Sequence, residues 1–271
     1  MKKISGFENK TVIVTGGAAG LGRGIVEALV EQGAIVYAAD INEAGLKALA
    51  DSVPTIIPVK LNVTQQQDFQ QVIDQVLADH DHLDIIINNA GIGLAGDFND
   101  TPMTDLEKIT NINFWSVIYG TKLAYTQMIK QGYGHIVNVS SSGGAMPVPN
   151  QSMYSGIKHA VLGLSHSLRE EAAHYGVKVS AVLPGMVKSD MWESAVNVKD
   201  YNLKNSMENT GLKPISARDA AEAILHGIID NNRSIIFPRI NRITLCLYRL
   251  MPNLMTRLFV APLARPTTEA S

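Results

Sequence analysis

At 271 residues, 46% of them apolar, the chain is long enough to bury the core of one large domain. A formal charge of -2 excludes wholesale nucleic-acid binding, and a single cysteine, Cys246, excludes an intrachain disulfide. The basic start Met1-Lys2-Lys3 leads into too short an apolar run for a signal peptide, and no uncharged apolar run approaches the roughly 20 residues of a membrane span, so a cytoplasmic location is expected.

Thr11-Val-Ile-Val-Thr15 is a short β-branched run and reads as a buried strand. Gly16-Gly-Ala-Ala-Gly20-Leu21-Gly22 follows, and Ile25, Val26, Leu29 and Val30 then mark a helix. In the order strand, turn, helix, such glycines let the backbone approach a pyrophosphate, and the helix N-terminus offers free N–H groups. The spacing is G-x-x-x-G-x-G rather than the commoner G-x-G-x-x-G. The second strand, Ala34 to Ala39, ends at Asp40, placed to accept hydrogen bonds from an adenosine ribose and to repel a 2′-phosphate. Its expected neighbours Ala19 and Ile41 bring no cation, so the reading favours NAD over NADP. Arg23 is close in sequence, within the helix's first turn, and Asp40 can also cap the helix that begins near Asn42.

Thr55 to Leu61 is a third strand leading to Asn62-Val63, and the helix over 65–79 carries Phe69, Val72, Ile73 and Val76 on one face. The fourth strand starts at Asp84 and ends in Asn88-Asn89-Ala90-Gly91, polar and small residues at the carboxyl edge where parallel sheets bind ligands. One long helix is predicted over 104–130, with Asn111 and Asn113 in its interior, an unfavourable place for Asn unless its amide has a job. Strands over 136–139, 177–183 and 234–237 and a helix over 217–230 complete the pattern. Strands alternating with helices predict an α/β domain over 1–237: a Rossmann-type, three-layer doubly wound sandwich around a central, mainly parallel seven-stranded sheet.

The fifth strand runs into Ser140-Ser141-Ser142-Gly-Gly, and the helix beyond it carries Tyr154 and Lys158, four apart on one face of its first turn. A Tyr at its ordinary pKa of about 10 transfers protons poorly, and an ammonium beside it favours the phenolate and brings it into range as a general acid/base. Ser141 can hydrogen-bond the same reacting oxygen.

Together these residues resemble the short-chain dehydrogenase/reductase family, over roughly Asn9 to Phe237. The resemblance implies that Gly16, Gly20, Leu21 and Gly22 hold the cofactor with Asp40, Ile41, Asn62, Val63, Asn89, Ala90 and Gly91. It makes Asn113, Ser141, Tyr154 and Lys158 a catalytic tetrad. Tyr154 and Lys158 touch the cofactor too, and Pro184, Gly185, Val187 and Ser189 hold its nicotinamide carboxamide. Tyr154 would exchange the substrate proton, Lys158 lower the Tyr pKa and bind the nicotinamide ribose, and Asn113 hold a water of a proton relay. Two substitutions depart from the family pattern. Asn62 stands where an Asp is usual, so an amide carbonyl must meet the adenine amino group, and Ser189 replaces a Thr but keeps the hydroxyl.

The substrate pocket is expected from Leu94, Met146, Val148, Met186, Met191 and Trp192, a set that suits a small apolar alcohol or ketone, although these residues can equally pack on one another. The insertion from Lys188 to about Lys213 suggests a mobile lid. The C-terminal extension, 238–271, is basic and amphipathic: from Arg233 through Thr268 there are six Arg (233, 239, 242, 249, 257 and 265) and no Asp, Glu or Lys, interleaved with Ile and Leu and broken at Pro252. Packing within a homodimer or homotetramer built on the two long helices is the favoured reading of the extension, and a membrane interface is the alternative. The seven histidines form no metal-ligand spacing, so no metal is expected. The chain thus reads as an NAD(H)-dependent oxidoreductase acting on CH–OH groups of apolar secondary alcohols. Rival readings are an NADP(H)-dependent ketone or 3-oxoacyl reductase, or a silent NAD(H)-sensing scaffold.

Overall fold

A computed structural model describes residues 4–188, 190–210 and 213–260, with the side chains of Asp190 and Phe259 left aside. Seven strands form one parallel sheet: β1 (Thr11–Thr15), β2 (Ile35–Asp40), β3 (Ile57–Lys60), β4 (Ile85–Asn88), then β6 (Gly134–Val139), β7 (Val177–Pro184) and β9 (Ser234–Phe237). Between them in sequence, β5 (Leu94–Ala95) and β8 (Val196–Asn197) make a separate two-stranded sheet. The order β3-β2-β1-β4-β6-β7-β9 reverses direction between β1 and β4. That switch point opens a crevice at the carboxyl ends of the strands.

Alternation along each strand divides the core into two layers. Val12 and Val14 of β1, Val36 and Ala38 of β2 and Ile85 and Ile87 of β4 face one cluster, and Ile13, Tyr37 and Ile86 face the other. The first cluster is closed by α1 (Gly20–Glu31), α2 (Glu43–Ser52) and α8 (Ala217–Ile229), through residues such as Ile25, Leu29, Leu49 and Ile224. The second is closed by α3 (Gln66–His80) and α5 (Ser116–Gln131), with Phe69, Ile73, Ala124 and Met128, and by the end of α6 (Ser152–Ala172). A parallel sheet covered on both faces explains why its strands read as apolar runs rather than as alternating ones.

The helix predicted over 104–130 is interrupted. It runs as α4 (Met103–Thr110), a π-helical turn (Asn111–Trp115) and α5, with Ser116 N–H bonded to Asn111 O. The wider turn brings Asn113 to a fully buried position.

The insertion after β7 has structure of its own. Val196 N–H donates to Gly93 O (2.9 Å) and Val198 N–H to Ala95 O (2.9 Å), and the short helix α7 (Leu203–Glu208) begins where Leu203 N–H meets Asn197 Oδ1 (2.9 Å). The C-terminal extension forms α9 (Arg239–Leu250), then, across the Pro252 break, α10 (Pro252–Met255) and a π-helical turn over Thr256–Val260. No helix among the described residues is long and apolar enough to cross a membrane.

Candidate active site

The carboxyl ends of β1, β2 and β4 meet at the glycine turn. Gly16 has φ +66°, open to glycine at little cost. A Cβ on Gly22 would overlap Gly16 O and lie 2.6 Å from Asn89 Nδ2. The cradle is locked by the end of β4. Asn89 Nδ2 donates to Thr15 O (2.9 Å), while Asn89 N–H and Ala90 N–H both donate to Thr15 Oγ1 (3.0 Å each). Behind them Asn88 Nδ2 donates to Asn138 Oδ1 (2.8 Å), tying β4 to β6. The first turn of α1 carries no side-chain cap, so its N–H groups are left for an anion.

Asp40 Oδ2 accepts from Ala18 N–H (3.1 Å) and Oδ1 from Asn42 N–H (2.9 Å). The cap of α2 is Asn42, whose Oδ1 accepts from Gly45 N–H (3.0 Å). Each Asp40 oxygen keeps a lone pair for the cavity. Arg23 faces away: its Nε donates to Glu27 Oε1 (2.7 Å) and a guanidinium N–H to Ser52 Oγ (3.3 Å).

A cavity of about 410 Å³ extends from this turn to the start of α6. It is lined by Gly16, Gly20, Leu21, Gly22, Asp40, Ile41, Asn62, Val63, Asn89, Ala90 and Gly91 at one end, and by Ser141, Tyr154, Lys158, Pro184, Gly185 and Val187 at the other. Lys158 is the only cation among the described lining residues. A glycine cradle, an uncapped helix N-terminus and a carboxylate in line along one cavity fit a nicotinamide dinucleotide. Ser189 lies outside the described residues.

At the far end, Ser140 Oγ donates to Lys158 O (2.7 Å), holding the end of β6 against α6. Lys158 Nζ donates to Val139 O (2.9 Å) and lies 5.8 Å from the Tyr154 ring centroid. Burial pulls Lys158 down to about 8, so at neutral pH it still holds its proton. Burial pushes the Tyr154 phenol up, and a hydrogen bond with Ser141 works in the opposite direction. The net lowering of the Tyr pKa expected from Lys158 is therefore not what this geometry gives. Burial is the larger of the two influences on Tyr154, and one of the Lys158 N–H bonds is spent on Val139 O.

Three other expectations need correcting. Asn113 does not line the cavity: its Oδ1 accepts from Ile92 N–H and its Nδ2 donates to Ile92 O, both at 2.8 Å, so the amide clamps the loop after β4. The carbonyl of Asn62, expected to meet an adenine amino group, already accepts from Thr64 N–H (3.1 Å) and Thr64 Oγ1 (2.8 Å), which uses both its lone pairs. Of the six expected pocket residues, Met191 and Trp192 line the cavity and Leu94, Met146, Val148 and Met186 do not. Leu94 packs with Leu106, Ile109 and Ile157 in a third apolar cluster, and Met186 Sδ turns to Thr210 Oγ1 (3.5 Å). Reading the sequence missed Ile92, Ile112, Thr64, Ser140 and Ser194, which do line the cavity. Ile92, next to Gly91 at the ligand edge of β4, was the one with a signal.

Residues 10–200 match the family model of short chain dehydrogenases. Over 270 residues the chain is 30% identical to SadH of Mycobacterium tuberculosis, covering 97% of this chain and 98% of that one. It is 36% identical over 197 residues to a 2,5-dichloro-2,5-cyclohexadiene-1,4-diol dehydrogenase of Sphingobium indicum, covering 72% of this chain and 79% of the relative. A short chain dehydrogenase/reductase of Burkholderia phymatum, solved in complex with NAD, has the same fold: TM-score 0.84 at 22% identity, covering 99% of this chain and 100% of the other. The chain is a member of the short-chain dehydrogenase/reductase family, and with it an oxidoreductase built around a nicotinamide cofactor.

Proposed function

We propose that the protein transfers a hydride between NAD(H) and an apolar secondary alcohol or ketone, with Tyr154 as the general acid/base. One observation carries this reading: a single cavity bears Tyr154, Ser141 and Lys158 at one end and Asp40 at the other, where Lys60, the neighbour of Asp40 across β2 and β3, is paired with Glu43 and is not among the described lining residues. NAD+ supplies the hydride acceptor when bound, and NADH the donor.

In oxidation, Tyr154, in its phenolate form, accepts the alcohol proton as the carbinol carbon gives up its hydride. In reduction it returns that proton to the forming alkoxide. Ser141 donates a hydrogen bond to the substrate oxygen, where negative charge develops, and holds it against the phenol. Lys158, protonated at neutral pH, has N–H bonds beyond the one spent on Val139 O, available to the phenolate and to a ribose hydroxyl. Asn113 acts through Ile92, fixing the wall against which the substrate lies.

NAD rather than NADP is supported by Asp40 and by Arg23 being engaged with Glu27. An apolar substrate is supported by Ile92, Ile112, Val187, Met191 and Trp192 around the far end. Assembly as a dimer or tetramer through α5 and α6 belongs to the same reading, supported by the exposed Trp115 beside α5, stacked on Tyr119. The test is NAD+ reduction, followed by absorbance, over secondary alcohols from small aliphatics to ring systems and 3-hydroxyacyl thioesters. Turnover of an apolar member with NAD+ well ahead of NADP+ is expected. Turnover confined to charged or polyhydroxy alcohols would overturn the substrate class.

A further inference from the structure

The helix α9 is attached to the body by a narrow face and leaves the rest to solvent. Asn241, Thr244, Leu245 and Tyr248 are half-buried, and no residue of the helix is fully buried. Ile240, Ile243, Leu247 and Leu250 recur at steps of three and four and form a stripe beside that face. Ile240 is 58% exposed, Ile243 56% and Leu250 71%. The stripe continues past Pro252 through exposed Leu254 and Leu258, while Met255 is buried and pins the second segment down. Arg242 and Arg249, two turns apart, flank the stripe with Arg239, and Arg257 lies further along. Residues 239–260 contain no Asp, Glu or Lys. Among the described residues none of these four arginines makes an ion pair.

We infer that this face docks on an anionic phospholipid surface, with the Ile/Leu stripe in the acyl boundary and the arginines at the phosphates. An exposed apolar stripe edged by cations without anions is the pattern of an interfacial helix. The same chemistry disfavours a second copy of the chain as the occupant. A two-fold contact across α9 would set one row of arginines against its twin, and the segment has no carboxylate to pair them.

The docked helix adjoins the cavity. A Cβ on Gly185 would overlap Asn241 Nδ2 and lie 2.8 Å from Asn241 Cγ, so the first turn of α9 packs directly on backbone that lines the cavity. Docking therefore brings the cavity to the lipid surface, where apolar alcohols and ketones concentrate. Only this last consequence rests on the reading of the substrate, and the docking itself does not.

Flotation of the full chain with phosphatidylcholine vesicles, and with vesicles also containing phosphatidylglycerol, tests the inference. Binding to the anionic vesicles is expected, weakening as salt is raised. Ile243→Glu/Leu247→Glu should abolish it, and Arg242→Gln/Arg249→Gln should weaken it about tenfold or more. All these residues are exposed, so circular dichroism, oligomeric mass and NADH binding should stay unchanged. Equal recovery with both vesicle types, or none with either, overturns the inference. So does a fall in oligomeric mass in the Glu variant with vesicle binding unaltered, which would assign the face to contacts between copies. NADH binding in the same samples reports separately on the cofactor site.

Discussion

Replacing Gly22 by Ala tests the glycine cradle at its tightest point. The added Cβ would overlap Gly16 O, sit 2.7 Å from Gly16 C and press on Asn89 Nδ2 at 2.6 Å. Carbon–oxygen contacts settle at about 3.3 Å or beyond, so the Gly16 carbonyl has to retreat by about 1.4 Å. Rotating a side chain cannot relieve this, because the nearest atom, Gly16 O, is backbone. The retreat disturbs the Asn89 amide, which donates to Thr15 O (2.9 Å) and Gly16 O (3.3 Å). Two hydrogen bonds at about 1 kcal/mol each, with overpacking strain of about 1–3 kcal/mol, give a cost of roughly 3 kcal/mol. If half or more of that falls on the cofactor-competent conformation, NADH affinity drops by about tenfold or more. The assay is a fluorescence titration with NADH beside a thermal melt. Gly163→Ala is the control. A Cβ there meets nothing within 4 Å, in an exposed turn of α6, so the substitution should be neutral or stabilise by up to about 1 kcal/mol. Gly22→Ala that binds NADH as tightly as the parent and melts at the same temperature would refute the cradle.

Asn113→Ala strands both Ile92 N–H and Ile92 O in a half-buried loop, and a loss of about 1–3 kcal/mol in urea unfolding is expected, against no change if the clamp is unimportant. His135 is held neutral by burial, with Lys178 and Arg169 adding to the effect, and its pKa falls to about 3. Its folded pKa lies below its unfolded value of about 6.5, so the unfolded chain binds the extra proton first and stability falls as pH drops from about 6.5 toward 3, by at most about 1.4 kcal/mol per pH unit. Denaturant melts between pH 7 and pH 5 should show that slope, and a His135→Gln variant should flatten it; an unchanged slope in the variant places the effect elsewhere. Asp40 beside a 2′-phosphate should cost NADPH at least about tenfold in affinity relative to NADH, since like charges at short range repel by a few kcal/mol. Competitive titration checks it, and equal affinities would remove Asp40 from that role.

The seven main strands were legible because a parallel sheet buried on both faces demands continuous β-branched runs, and Val12 to Val14 or Ile85 to Ile87 offer no other reading. The glycine turn, Asp40, Tyr154 and Lys158, which line one cavity, were legible through the resemblance, from several family motifs in their order along the chain. The two-stranded sheet was not. Leu94–Ala95 and Val196–Asn197 are two residues each, too short for any period, and lie a hundred residues apart. The side on which an apolar residue sits was equally hidden. Leu94 looked like pocket wall and is core, because β5 turns it toward Ile157 of α6. Asn113 was singled out for the right reason, an amide inside a helix, but its partner Ile92 is 21 residues away and emerges only once the π-turn points it inward. The Tyr154 pKa is a tertiary quantity, since burial at the cavity wall sets it more than the Lys four residues on.

The central claim is that Tyr154 carries the proton in a hydride transfer that needs the bound cofactor but does not depend on Tyr154 to bind it. The most direct measurement compares Tyr154→Phe with the parent in two readouts on the same preparation: kcat for oxidation of the best alcohol with NAD+, and the dissociation constant for NADH. Removing the proposed proton acceptor should lower kcat by about a hundredfold or more. The NADH constant should stay within a few-fold, because the glycine turn and Asp40 are untouched. A variant that turns over at a substantial fraction of the parent rate would contradict the account.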